Sequence, residues 1–412
     1  MCGFFSTDWN EILETYPGYV LVLGNPPWVT NAVLGSLKSS NLPEKSNFNK
    51  HRGIDAITGK GNFDISEWMM LRMLEWLNGR RAAMAILCKS TVARKVLAHA
   101  WKRSFQIESA EIYKVDALRY FSAAVDACLL VCIFSPNGAS DHCRIFDELR
   151  NGSPSSTIGF RANKLIADLG LYQRWQHLEG AALHKWRSGI KHDCSPILEL
   201  ERRGRGLVNG LGEEVEIEDT FLFPMLKSSD LANGDAVTPK RWMLVTQRQI
   251  GQDTSVIFKN APRTWQYLEH HAEFLNRRAS SIYKGKPPYS IFGVGDYSFS
   301  DWKVAISGFY KKLRFRTVGP FEQKPTILDD TSYFIACRSE NEAAYLTSLL
   351  NSLAANEFYR SFIFWDSKRP ITADLLRRLS LFALAKELGS ENILKNYITQ
   401  NYGDDQMNLI LS

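Results

Sequence analysis

The sequence predicts an α/β domain that ends in an antiparallel β-hairpin, followed by a domain of mixed α+β structure. Over residues 1–135, short apolar runs typical of strands alternate with amphipathic runs typical of helices. The last two apolar runs follow each other with no helical run between them, which predicts an antiparallel pair. From about residue 160 this alternation gives way to short segments in which aromatic and basic residues are interleaved.

The first strand is predicted at residues 19–23, a Val- and Leu-rich run that Gly24 closes. The residues that follow it are Asn25, Pro26, Pro27 and Trp28. Two prolines stop the run so soon that it is too short for a helix. In an open α/β sheet, ligands bind at the carboxyl ends of the strands. The sequence therefore places a polar amide and an indole ring where a ligand is expected.

The later elements of the first half are predicted from the spacing of apolar residues. Residues 64–67 have the pattern of a helix N-cap, and residues 29–62 form a long polar loop that either contacts a ligand or is a mobile surface loop. The predicted helices cover residues 7–13, 64–77 and 91–103, and the predicted strands cover residues 82–88, 108–113 and 125–134.

A stretch rich in Ser, Gly, Pro and Asn, residues 136–159, predicts the boundary between the two domains. The first domain is therefore expected at residues 1–140 and the second at residues 160–412. In the second domain, strands are predicted near residues 219–227, 243–247, 303–306 and 333–337, and a helix is predicted at residues 261–278.

Composition narrows the class of protein. The net charge of +6 and the pI of about 8.8 suit a protein that meets a polyanion, although enzymes of small anionic substrates are often as basic. Seven scattered cysteines without a C-x-x-C pair indicate a reducing cytoplasm and argue against a disulfide framework or a zinc site, so no metal is expected. No apolar run reaches the length needed to span a membrane.

The Asn-Pro-Pro-Trp turn suits methyl transfer to an exocyclic amine of a nucleobase. Such an amine is a poor nucleophile, because its lone pair is delocalised into the ring. The side-chain oxygen of Asn25 and the carbonyl of Pro26 can accept its two N–H bonds and draw the lone pair out of conjugation. Trp28 can stack on a base that has swung out of its duplex. A rigid strand-to-loop turn without such a role is the alternative interpretation.

This turn resembles motif IV of the N6-adenine DNA methyltransferases, and the order of elements up to residue 135 resembles their catalytic half. The resemblance implies a partial doubly wound, Rossmann-like methyltransferase sheet with a closing β-hairpin, and S-adenosylmethionine as methyl donor. It implies that Asn25 contacts the cofactor as well as the target amine. It also implies that Phe121 packs on the face of the base opposite Trp28. Tyr120 is a nearby competitor, and a core role for Phe121 is the alternative.

The second half resembles the target-recognition half of type IIG restriction–modification enzymes and their methyltransferase relatives. Cations alternating with aromatic rings suit contacts to a DNA backbone and to bases. The residues predicted to contact double-stranded DNA are Lys303, Lys311, Lys312, Arg314, Arg316, Lys368 and Arg369.

The glycine-rich loop that such an enzyme uses to hold its cofactor is not evident. Residues 291–295 carry the Gly-x-Gly pattern, but no helix is predicted after them, so they are not expected to be that loop. There is no room for the loop before Asn25. We therefore expect that the chain is truncated, that a separate polypeptide supplies the cofactor loop, or that the chain is inactive.

The resemblance thus implies a site-specific, adenine-specific DNA methyltransferase of a prokaryotic restriction–modification system. A catalytically incomplete DNA-binding or specificity module is the second hypothesis. A methyltransferase of RNA or of protein glutamine is the third, because such enzymes also use an Asn-Pro-Pro-aromatic turn.

Overall fold

A computed structural model of the chain describes residues 9–16, 18–28, 64–149, 152–182, 184–204, 206–233 and 238–402. The predicted loop at residues 29–62 lies outside these residues. The chain divides into two compact units, residues 1–173 and 174–412.

The first unit is built on a seven-stranded sheet with helices between its early strands. Its strands are β1 (Val20–Gly24), β2 (Ala82–Lys89), β3 (Ile107–Val115), β4 (Ala127–Phe134), β5 (His142–Phe146), β6 (Ser156–Arg161) and β7 (Lys164–Ile166). Its helices are α1 (Trp9–Thr15), α2 (Ile65–Leu77), α3 (Ser90–Lys102) and α4 (Ala117–Phe121).

The strand order in this sheet is β1-β2-β4-β3-β5-β6-β7. β1 runs parallel to β2, and β4 runs antiparallel to β2 and to β3, between which it lies. The predicted antiparallel pair is therefore present as β3 and β4. Because β1, β2 and β3 share one direction, their carboxyl ends meet at one edge of the sheet.

The helices form where apolar residues recur at helical spacing. In α2, Met70, Leu74 and Leu77 are fully buried or nearly so, and Asp64 caps the helix by accepting a hydrogen bond of 3.1 Å from the backbone N–H of Ser66. Gly79 adopts a φ of +80° just after the helix, a conformation that favours glycine. α2 and α3 pack against each other and against β2, so both cover the same face of the sheet. Helices on both faces, as in a doubly wound sheet, remain a prediction.

The sheet continues past the strands that were predicted. β5 pairs with β3, and β6 and β7 extend the sheet further, so the division between the units falls after Gln173 and not between residues 140 and 160. These strands are short and lie in or beside the Ser- and Gly-rich stretch, and only their pairing shows that they belong to the first sheet. Cys143 of β5 and Ile158 of β6 are fully buried there.

The second unit contains two further sheets and most of the helices. Its strands are β8 (Arg187–Ser188), β9 (Glu199–Arg203), β10 (Gly206–Asn209), β11 (Glu214–Val215), β12 (Leu222–Leu226), β13 (Arg241–Leu244), β14 (Trp302–Ser307), β15 (Arg316–Val318), β16 (Ile327–Leu328) and β17 (Ser332–Cys337). Its sheets have the orders β11-β10-β9-β13-β12-β16 and β15-β14-β17-β8.

The helices of this half are mostly short. They are α5 (Leu169–Trp175, which crosses the division), α6 (Ser195–Leu198), α7 (Ser228–Ala232), α8 (Val256–Asn260), α9 (Pro262–His270), α10 (Ala272–Asn276), α11 (Glu340–Leu350), α12 (Leu353–Arg360), α13 (Ala373–Leu376), α14 (Leu381–Glu387) and α15 (Glu391–Tyr402). The helix predicted at residues 261–278 is thus two helices, α9 and α10. Among the described residues, no helix has the length and apolar character needed to cross a bilayer.

Candidate active site

The Asn-Pro-Pro-Trp turn follows β1 at the edge where the parallel strands end. Asn25 is exposed, Pro26 is buried, Pro27 is exposed and Trp28 is half-buried. The register pairs Gly24 with Ile86 of β2, so the turn lies beside the carboxyl end of that strand. The exposed amide of Asn25 is therefore available to a ligand at this edge, whereas Pro26 is fixed in the protein.

Trp28 is anchored to β2 at both its side chain and its backbone. Its indole Nε1–H donates a hydrogen bond of 3.3 Å to the carbonyl of Leu87. Its own carbonyl accepts a hydrogen bond of 3.1 Å from Nζ of Lys89. The same Nζ lies 2.6 Å from Oδ2 of Asp64, the residue that caps α2. The ring is thus held by defined partners and is not a mobile surface side chain.

Phe121 reaches the same edge of the sheet from β3. It is the last residue of the short helix α4, which connects β3 to β4. Ala127, the first residue of β4, pairs with Val115 at the end of β3 and with Lys89 at the end of β2. The connection that carries Phe121 therefore begins at the end of β3 and ends at Ala127, beside the carboxyl end of β2. Phe121 is 52% exposed, so it is not a core residue.

Tyr120, the competitor for the same role, is 59% exposed, and its ring centroid lies 6.4 Å from that of Phe121. Both aromatic rings are thus open to solvent, and an exposed pair of rings at a ligand edge suits stacking with a planar group. The role of either ring in base stacking stays a prediction.

β1 has an open edge in the described part of the chain. It pairs there only with β2, and on one face Leu21 and Leu23 are 58% and 69% exposed. Strands of parallel sheets are normally buried on both faces, which is why they are apolar throughout. An all-apolar strand with two exposed leucines therefore has a surface suited to burial by a further strand or layer.

The glycine-rich tract at residues 291–295 serves the packing of the second unit. Gly293 has a φ of +70°, and a Cβ added to it would lie 2.5 Å from the carbonyl oxygen of Gly189. Lys191 and Phe292 pair across the two segments through backbone hydrogen bonds. A 3₁₀ helix at Asp296–Phe299 and then β14 follow. The close backbone contact explains the glycine, and no α-helix opens directly after the tract.

Asn25, which the resemblance assigns to S-adenosylmethionine as well as to the target amine, is exposed at this sheet edge. No cluster of metal-ligating side chains is found among the described residues.

Two of the residues predicted to contact DNA are buried, and for these the prediction is wrong. Lys303 lies in β14, the second strand of its sheet, and is 0% exposed; its Nζ donates to the carbonyl of Ser300. Burial lowers the pKa of Lys303 to about 7. Arg316 at the start of β15 is 8% exposed, and its Nε donates to the carbonyl of Leu231. Neither cation can form part of an exposed surface.

The other five cations include two groups that are distant in sequence but close in the structure. Lys311, Lys312 and Arg314 are exposed in the connection between β14 and β15, and Lys368 is exposed some fifty residues later. The guanidinium carbon of Arg369 lies 4.6 Å from the ring centroid of Phe309, which joins the two stretches. These five residues, which we call the basic surface, are Lys311, Lys312, Arg314, Lys368 and Arg369.

The second unit also contains a cavity of about 590 Å³ between α6, β9 and β10. Its charged groups are already paired. Glu199 lies 2.5 Å from Nζ of Lys227, and Arg241 lies 3.1 Å from Asp230. Because the charges are satisfied within the protein, this cavity gives no sign of a ligand.

The sequence alone did not point to Lys89 or Asp64 as part of the candidate site. The sequence pattern identifies Asp64 only as part of a helix N-cap, and it gives Lys89, which lies between the strand predicted at residues 82–88 and the helix predicted at residues 91–103, no role. A signal was present for Lys89, because it follows an apolar run and so stands at the same sheet edge as the Asn-Pro-Pro-Trp turn.

The fold of the chain is similar to that of a solved restriction–modification enzyme. The structure of the Type IIL restriction–modification enzyme MmeI in complex with DNA matches 97% of the chain with a TM-score of 0.56 at 13% identity. The chain spans about half of that enzyme (52% of its length). The fold is therefore one found in restriction–modification enzymes.

A relative with a similar sequence identifies the family. The Type II methyltransferase M.NspV of Nostoc sp. is 46% identical over 387 residues, which cover 93% of this chain and 80% of the relative. No protein-family model matches the sequence. On the strength of this relative, the chain belongs to the Type II methyltransferases.

Proposed function

We propose that the chain carries the target-base site and the DNA-recognition surface of an N6-adenine-specific DNA methyltransferase of a restriction–modification system. The observation that carries the proposal is the Asn-Pro-Pro-Trp turn at the carboxyl edge of the first sheet, with Trp28 anchored to β2. Membership of the Type II methyltransferases supports methyl transfer as the reaction.

Asn25 and Pro26 have the chemistry needed to make an adenine amine reactive. The exposed amide oxygen of Asn25 accepts one N–H of the amine, and the carbonyl of Pro26 accepts the other. Proline fixes φ and offers no competing N–H, so the direction of its carbonyl is set by the backbone. Two acceptors favour the pyramidal amine, whose lone pair is free to react, and no strong base is required.

Trp28 and Phe121 supply the two aromatic faces for the base. The half-buried indole is fixed by its hydrogen bonds, and the exposed phenyl ring belongs to the connection that ends at Ala127, beside β2. Aromatic stacking contributes about 1–3 kcal/mol per base in nucleic-acid complexes. Stacking on both faces offsets the cost of taking the adenine out of its duplex.

S-adenosylmethionine is the proposed methyl donor, and when bound it supplies the methyl group. We propose that another polypeptide or segment supplies the cofactor loop, because no glycine-rich loop that opens a helix is evident in the sequence. The open edge of β1, with Leu21 and Leu23 exposed, supports this proposal because a strand of the cofactor part can add there.

The basic surface of the second unit is the proposed contact to the DNA backbone. Its three lysines and Arg314 are exposed and suit phosphate oxygens, and the guanidinium of the half-buried Arg369 is held in place over Phe309. Base readout by the same unit gives the site specificity.

Methylation in a host without DNA methyltransferases tests the proposal. The full chain is expressed from genomic DNA that includes its flanking reading frames, and the host genome is sequenced by a method that detects N6-methyladenine and N4-methylcytosine. We expect N6-methyladenine at one recognition sequence. Methylation of cytosine alone would overturn adenine specificity, and methyl transfer only to RNA or to a glutamine peptide would overturn DNA as the substrate.

Asn25→Ala tests the role of the amide in the same assay. We expect methylation to fall about 100- to 1000-fold, the range found when a single activating hydrogen-bond partner is removed. Affinity for DNA with the recognition sequence, measured by fluorescence anisotropy, is expected to stay within a factor of two or so. Asn392→Ala, at an exposed helical asparagine of α15, is the matched control. Undiminished methylation by Asn25→Ala would remove the mechanism.

A DNA-binding or specificity module without its own activity is the second candidate. The glycine-rich tract at residues 291–295 favours it, because a 3₁₀ helix and a strand follow the tract, whereas a cofactor loop opens an α-helix. Calorimetry of the purified full chain with S-adenosylmethionine separates the two. Measurable binding supports the enzyme, whereas DNA binding without cofactor binding, together with an unmodified genome, supports the module.

A further inference from the structure

A chain of polar contacts links the N-terminus of α2 to the turn that carries Trp28. Asp64 accepts hydrogen bonds at Oδ1 from the backbone N–H and the hydroxyl of Ser66, at 3.1 and 2.6 Å. Its other oxygen, Oδ2, lies 2.6 Å from Nζ of Lys89. Nζ donates a second hydrogen bond, of 3.1 Å, to the carbonyl of Trp28. The ammonium group therefore bridges a fixed carboxylate and the backbone of the turn.

The carboxylate in this chain is well suited to fix the ammonium group. The side chain of Asp64 is 9% exposed and stands at the start of a 13-residue helix, where the helix dipole favours a negative charge. The side chain of Lys89 is 27% exposed, so the pair is less screened by solvent than a surface ion pair. Asp64 thus holds the ammonium group of Lys89 in a fixed position, from which it donates to the carbonyl of Trp28.

Trp28 is consequently held at two points by the end of one strand. Lys89 holds its carbonyl, and Leu87, two residues earlier in β2, accepts the indole N–H at 3.3 Å. Two attachments to one strand fix both the position of the residue and the rotation of its ring. A carbonyl held alone leaves the ring free to rotate.

We propose that Lys89, oriented by Asp64, is a positioning residue that sets the indole of Trp28 against the target base. The effect on methyl transfer rests on the proposed function, whereas the effect on the ring does not. Lys89 touches neither base nor donor in this proposal and acts only through Trp28. Small displacements of a group that positions a substrate cost up to about 100-fold in rate.

Lys89→Met is the main test, because methionine keeps the length of the side chain and removes its charge and donors. Asp64→Asn is the second variant, since asparagine still caps a helix but no longer carries the charge that orients Lys89. Lys89→Arg keeps the charge and the donors and serves as the rescue. Lys95→Met is the matched control, because Lys95 forms a similar ion pair of 2.8 Å with the buried Glu67 of α2.

The first readout is the indole N–H signal of Trp28 in the ¹H–¹⁵N spectrum of the full chain. The chain has eleven tryptophans, and the signal is assigned by its loss in Trp28→Phe. We expect Lys89→Met to shift or broaden this signal, Asp64→Asn to shift it less, and Lys95→Met to leave it in place. An unchanged signal in Lys89→Met would overturn the proposal.

The second readout is methyl transfer by the assembly that methylates DNA. We expect Lys89→Met to lower kcat by about 10- to 100-fold with little change in KM for DNA, and Lys89→Arg to recover most of the rate. A kcat equal to that of Lys95→Met would overturn the positioning role in catalysis. If the wild-type assembly methylates no DNA, the proposed function fails, and the indole signal alone then decides whether Lys89 positions Trp28.

Discussion

Burial decides what a basic residue of the second unit can do. Lys303 and Arg316 stand among aromatic and basic neighbours in the sequence, as Lys311 and Lys312 do. The structure nevertheless buries the first two within a four-stranded sheet and leaves the other two exposed. Lys303 lies opposite Ala336 of β17 and Val318 of β15, so it is enclosed by its neighbours on both sides. Arg316 is buried although its strand, β15, lies at the edge of the same sheet, so an alternating pattern of cations and rings does not reveal which of these side chains the fold buries.

The buried amine of Lys303 makes stability depend on pH. Burial lowers its pKa to about 7 from the ordinary 10.5. Between these values the unfolded chain holds a proton that the folded chain has released, so this group makes the folded state more stable as the pH rises. We expect the difference in unfolding free energy between wild type and Lys303→Met to change by about 1.4 kcal/mol per pH unit from pH 7 to 10, in favour of wild type at high pH.

Urea unfolding at several pH values measures this difference. Lys312→Met, at an exposed lysine of the adjacent connection, serves as the control and is expected to follow wild type at every pH. Parallel curves for wild type and Lys303→Met would show that the amine is charged in the folded protein.

At the scale of the element, α4 presents the aromatic pair at the sheet edge. The backbone N–H of Arg119 donates 3.0 Å to the side chain of Asp116, which caps the helix, and Ser122 ends it with a φ of +52°. The left-handed conformation at the residue after a helix is common and turns the chain sharply. Tyr120 and Phe121 are both exposed at the end of this short helix.

Phe121→Ala tests the base-stacking role of this element. Because the ring is exposed, we expect little loss of stability, whereas transfer falls by roughly 5- to 150-fold, the equivalent of 1–3 kcal/mol of stacking. Phe258→Ala, at an exposed phenylalanine of α8, is the matched control. Normal transfer by Phe121→Ala together with a loss in Tyr120→Ala would assign the stacking to Tyr120 instead.

The helices and strands that the sequence predicts well are those in which apolar residues recur with a clear period or form a long run. The apolar spacing of Ile65–Leu77 and the apolar run of Ala82–Lys89 gave α2 and β2 close to their observed bounds. β5, β6 and β7 were missed because they are short, and only pairing with β3 identifies them as part of the first sheet. The candidate site shows the same limit: Asn25 and Trp28 follow from their motif, but Lys89 joins Trp28 and Asp64 across 61 and 25 residues of sequence.

At the scale of the whole molecule, the modest positive charge is less informative than its distribution. Of the seven cations predicted to contact DNA, five are left for the basic surface once Lys303 and Arg316 are set aside as buried. Contacts to phosphate release counterions, so the affinity of a DNA-binding protein falls with salt in proportion to the number of contacts.

Removing two of these cations therefore has a measurable consequence. For Lys311→Gln with Lys312→Gln, we expect the slope of log affinity against log salt to become shallower by about 2, because each phosphate contact contributes about 0.9. Lys259→Gln with Lys386→Gln, at exposed lysines of α8 and α14, is the control. Fluorescence anisotropy with duplex DNA at 50 to 200 mM salt, roughly the range over which such slopes are resolved, measures both. Equal slopes for the two double variants would rule out the basic surface as the DNA contact.

The open edge of β1 in the described part of the chain bears on whether copies of the protein pair with one another. Sheet proteins commonly guard an outer strand with lysine, proline or a bulge against adhesion to other copies. Val20–Gly24 has no such guard within it, and its two prolines come only after the strand has ended. In the described part of the chain this strand is uncovered, and the strand that we propose adds to it would also prevent edge-to-edge pairing between copies.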